Sequence, residues 1–65
     1  MKNIATHLKN LTSDYNETIK NAFQFSVEEQ QNYAKEETKY IFKDGSTLTA
    51  SSASYTITVG VNDND

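Results

Sequence analysis

Tyr40-Ile41-Phe42-Lys43-Asp44-Gly45-Ser46-Thr47-Leu48-Thr49 decides the fold of this chain. Apolar and β-branched residues flank Lys43-Asp44-Gly45, a turn-forming triplet, so the stretch reads as a β-hairpin. A three-residue loop with Gly45 in the left-handed conformation sets Phe42 opposite Ser46 and Tyr40 opposite Leu48. Tyr40, Phe42, Leu48 and Ala50 then share one face. A two-residue Asp44-Gly45 turn would pair Ile41 with Leu48 and split this apolar set, because a one-residue slip turns every side chain to the other face. The three-residue loop is therefore the predicted register, and it leaves Ile41 on the open face.

Downstream, Ser51-Ser52 reads as the next turn. Ala53, Tyr55, Ile57, Val59 and Val61 then alternate with Ser54, Thr56, Thr58 and Gly60, which predicts a further strand with one buried face. Asn62-Asp63-Asn64-Asp65 reads as a polar tail.

Upstream the period lengthens. Ile4, Leu8, Leu11, Tyr15, Ile19 and Ala22 recur three and four apart, the stripe of an amphipathic helix over roughly residues 3–23. Thr12-Ser13-Asp14 places three weak helix formers in its middle, so the helix either kinks there or restarts with Ser13 as a cap. The apolar phase runs on across the interruption, which favours one helix. Ser26-Val27-Glu28-Glu29 carries the capping-box pattern and predicts the start of a second helix, with two carboxylates in its first turn. Val27, Tyr33 and Ala34 are its only apolar members, so it shows water a wide acidic face. The expected fold class is α+β: two N-terminal helices followed by a three-stranded antiparallel β-meander (ααβββ), one domain spanning residues 1–65.

Size and composition bound what such a domain does. With 65 residues, 35% of them hydrophobic, the core is one layer deep and close to marginal. There is no cysteine, so no disulfide framework or thiolate metal site adds stability. No apolar run approaches a membrane span, and Met1-Lys2-Asn3-Ile4-Ala5-Thr6-His7 lacks the apolar stretch of a secretory signal, so a cytoplasmic location is expected. The net charge of −3 is uneven: residues 26–37 carry Glu28, Glu29, Glu36 and Glu37 against Lys35. Arginine is absent. Without basic patches or bidentate guanidinium groups, direct nucleic-acid binding is not expected.

Catalytic and metal constellations find no support. His7 is the single histidine, with no ligand at metal-binding spacing. The serines and threonines fit strand and turn chemistry rather than a nucleophile elbow. The glutamate pairs, flanked by glutamine and lysine, lack the burial that acid/base work requires. No enzyme activity and no cofactor are therefore expected. The acidic segment and the aromatics suit recognition instead, since spaced carboxylates engage the lysines and arginines of a surface that holds phosphates. Glu28, Glu29, Glu36 and Glu37, with Tyr33 and Ile41, form the candidate partner-binding set. Self-association through Ile41 and a free sheet edge is the alternative, giving a monomer or a weak homodimer.

The frame from Tyr40 to Leu48, behind two short helices in a cysteine-free acidic chain, resembles the short proteins of phages and prophages. Anti-CRISPR proteins are the best-known functional group among these. The resemblance implies a nucleic-acid-mimicking inhibitor that binds a bacterial CRISPR-Cas effector subunit directly in the host cytoplasm. It assigns no functional residue.

Overall fold

A computed structural model describes residues 3–60 of the chain. Two helices, α1 (Ile4–Leu11) and α2 (Tyr15–Phe25), precede four strands: β1 (Glu28–Asn32), β2 (Glu37–Ile41), β3 (Thr47–Ser51) and β4 (Thr56–Gly60). The strands form one antiparallel sheet in sequence order, β1-β2-β3-β4. The architecture is therefore ααββββ, and the expected three-stranded meander is corrected to four strands.

The additional strand is the segment read as a second helix. Ser26 does not start a helix but ends α2: its N–H donates to the Ala22 carbonyl and its hydroxyl to that of Phe23. Its capping capacity is spent backwards, and Glu28-Glu29-Gln30-Gln31-Asn32 pairs instead with β2, Glu28 opposite Ile41 and Asn32 opposite Glu37. Glutamate and glutamine by themselves favour a helix, and the hydrogen-bonding edge offered by β2 overrides that local preference. Residues 33–36 turn the chain. The Asn32 side chain accepts from Lys35 N–H, and Glu36 takes a left-handed φ of 55°. The Glu36 carbonyl accepts from both the N–H and the hydroxyl of Ser52, which ties this turn to the one between β3 and β4.

The single long helix is likewise corrected to two. Thr12 is extended, with φ −150° and ψ 153°, and Asp14 rather than Ser13 caps α2, its carboxylate accepting from the N–H groups of Asn16 and Glu17. Side-chain competition for the backbone thus overcame the continuous apolar phase. The stripe still faces inward for the most part: Leu8 and Ala22 are buried, and Ile4, Tyr15 and Ile19 pack against the core, whereas Leu11 is exposed.

The hairpin from β2 to β3 has the predicted register. Tyr40 stands opposite Leu48, Phe42 N–H donates to Ser46 O at 2.9 Å, and Gly45 has φ 88°. The next turn occupies residues 52–55, starting one residue and ending three residues later than expected, and takes Ala53, Ser54 and Tyr55 out of the strand. Tyr55, with a left-handed φ of 54°, packs edge-on to Tyr15 with ring centroids 5.4 Å apart. Val61 and the polar tail lie outside the described residues.

Pairing sorts the sheet into two faces. Tyr40, Leu48 and Ala50 are buried on the helix side, joined there by half-buried Ile57 and Val59. The open face carries Glu28, Gln30, Lys39, Ile41 and threonines of β3 and β4. Helix α1 lies against β3 and β4. Its start is held by the distant β2–β3 turn: Ile4 N–H donates to the Asp44 carboxylate at 2.8 Å, and Ala5 N–H to the Ser46 hydroxyl at 3.2 Å. With Thr6 N–H donating to Asn3 at 2.7 Å, three of the donors that a helix start leaves open are satisfied by side chains.

Candidate functional site

The six candidate residues fall on one hairpin, the β1–turn–β2 unit of residues 28–41. They do not fall on one face. Glu28 and Ile41 are cross-strand partners on the open face, and Ile41 is half-buried there. Glu37 shares that face four positions further along, about 13 Å from Ile41 at the rise of a strand. Glu29 points to the helix side, opposite Tyr40. Tyr33 and Glu36 stand in the turn, where Tyr33 is 84% exposed.

Within β1 the carboxylates are held by amides two positions on. Gln30 donates to Glu28 at 3.0 Å on the open face, and Gln31 donates to Glu29 at 2.6 Å on the helix face. Gln31 in turn accepts from the Thr38 hydroxyl at 2.9 Å. These bonds orient the acids while leaving all five residues of β1 exposed. The hairpin carries four glutamates against Lys35 and Lys39, a net charge of −2. Tyr40 is the buried group nearest this charge. Desolvation, followed by repulsion from Glu29 and Tyr15, holds its phenol above the usual tyrosine range.

Sequence reasoning missed the setting of these residues. Because α1 takes β3 and β4, a groove of about 440 Å³ is left between α2 and the first strands, lined by Tyr15, Ile19, Gln31, Tyr33, Thr38 and Tyr40 among others. An unbroken polar run hid both the strand and the groove beside it; the sole available signal was the absence of an apolar stripe after Val27. Another hollow, of about 580 Å³, is lined by Ile4, His7, Leu8, Leu11, Phe25 and Lys43 among others. Among the described residues no three metal-ligating side chains converge, and no helix is long and apolar enough to cross a membrane. Comparison with known proteins brings no match: no family model, no curated protein and no solved structure.

Proposed function

We propose that this chain is a non-enzymatic inhibitor that acts by binding another protein, with the β1–β2 hairpin as its contact element. The observation that carries the reading is the exposure of all five β1 residues together with four glutamates and Tyr33 on one hairpin. Carboxylates pre-oriented by Gln30 and Gln31 offer acceptors to lysine and arginine side chains without first having to be ordered. A basic surface shaped to hold a nucleic-acid backbone is the partner that such a hairpin complements, and occupying it excludes the phosphates by charge and by bulk. On the resemblance to small phage proteins, the partner is a CRISPR-Cas effector subunit and the place of action the host cytoplasm.

Affinity capture from bacterial lysate with the wild-type chain and with a quadruple variant (Glu28→Lys, Glu29→Lys, Glu36→Lys, Glu37→Lys) tests this. The expected result is a partner retained by the wild type and lost by the variant, with the same circular dichroism spectrum for both. Retention of the partner by the variant would remove the hairpin from the contact.

A further inference from the structure

On the hairpin reading above, we infer that β1 receives an extended segment of the partner as a fifth strand of the sheet, and that this segment alternates basic and apolar residues. The carrying feature is the sheet edge rather than the charge. β1 ends the strand order and is exposed at all five positions, whereas β4 at the opposite edge is half-buried at Ile57, Val59 and Gly60. Along the outer side of β1 the peptide groups have no strand partner among the described residues. Such an edge supplies main-chain donors and acceptors to any extended chain, and the side chains on either face then choose which chain binds.

The two faces of β1 make different choices. On the open face an incoming residue meets Glu28 or Gln30, with Glu37 one strand further in, so lysine or arginine is favoured at these positions. On the helix face the neighbouring positions of the incoming strand reach the groove beneath α2, where Ile19, Tyr15 and Tyr40 offer apolar and aromatic contact. Strand geometry sends successive side chains to opposite faces, so the two preferences together specify alternation. A second copy of this chain is disfavoured as the occupant. Antiparallel pairing of two β1 strands sets Glu28 of one copy beside Asn32 and Glu37 of the other on the same face, and joins two hairpins of net −2.

The test uses the intact, isotope-labelled chain and two synthetic probes: a peptide of alternating lysine and valine about six residues long, the usual length of a strand, and the same peptide methylated on every backbone nitrogen. The methylated probe keeps charge and side chains but cannot donate to a strand ladder. Strand addition predicts that the unmethylated peptide slows hydrogen exchange at alternate β1 amides, and that methylation weakens binding at least about tenfold, the loss of roughly 1.4 kcal/mol. Equal binding of the two probes, or binding without protection of β1, overturns strand addition and leaves the acidic hairpin reading standing. Failure of both probes to bind also overturns strand addition, while the capture experiment decides the hairpin reading independently.

Discussion

Asp44 joins residues forty positions apart, its carboxylate accepting from Ile4 N–H and from the backbone and hydroxyl of Ser46. These hydrogen bonds, the one from the Ser46 hydroxyl foremost, favour the ionised form and hold Asp44 below the ordinary carboxylate range. An acid whose pKa is lowered on folding stabilises the fold fully above its unfolded pKa, and that contribution is lost as the pH falls through the folded value. Asp44→Asn, which keeps an acceptor oxygen but removes the charge, should therefore lower stability at neutral pH by roughly 0.3–1 kcal/mol, the scale of an exposed carboxylate at a helix start. Thermal melts followed downward in pH should show the two proteins converging in acid. A gap that stays constant with pH would mean that the charge of Asp44 contributes nothing. The neighbouring Ser46, buried at 0% exposure, shows why a serine occupies the core at all: its hydroxyl donates to Asp44 and accepts from Ala5 N–H. Among the described residues, no buried side-chain polar atom lacks a partner.

At the scale of elements, strain sits in two turns: β1–β2 at Glu36 and β3–β4 at Tyr55. Glu36 adopts a left-handed φ that glycine accepts freely and other L-residues accept at a cost, and Ser52 fixes it there. Glu36→Gly should raise stability by about 1 kcal/mol in urea titration while weakening capture of the partner, because it removes one of the four acids. A variant that is stabilised and still binds fully would take Glu36 out of the contact. This turn also marks the limit of what the residues reveal by themselves. The β2–β3 hairpin was legible because one register alone gathers Tyr40, Phe42, Leu48 and Ala50 on a face, and because Gly45 marks the turn. Glu28 to Asn32 has no apolar residue to set a period, and Ser26 carries a helix-start pattern that the end of α2 used instead. The break at Thr12 to Asp14 was visible as three weak helix formers, but its outcome depended on the capping bonds that Asp14 makes. The six candidate residues came together on one unit even though its secondary structure was misread, since a hairpin and a helix both keep residues 28–41 local. Their division between two faces followed from strand pairing, which the acidic run did not encode.

For the whole molecule, the two-layer construction leaves a thin core. Phe42 and Leu48 are its largest fully buried apolar side chains, at 2% and 0% exposure, while Leu11, Phe23, Phe25 and Val27 remain outside. A domain of this length has roughly 3–10 kcal/mol of stability in total, and removing a buried phenylalanine ring costs about 3–5 kcal/mol. Phe42→Ala should accordingly abolish, or nearly abolish, the cooperative unfolding transition seen by circular dichroism. A sharp transition within a few degrees of the wild type would show that the core tolerates the void. The meander itself has a consequence in time. Each strand pairs with its neighbour in sequence, so the sheet closes through short loops, whereas α1 must find β3, β4 and the Asp44 turn across some forty residues. Long closures form late because their entropy is lost before their contacts are gained. The sheet therefore closes ahead of the docking of α1 on it, and until β3 and β4 are paired α1 has only its sequence neighbour α2 to pack against.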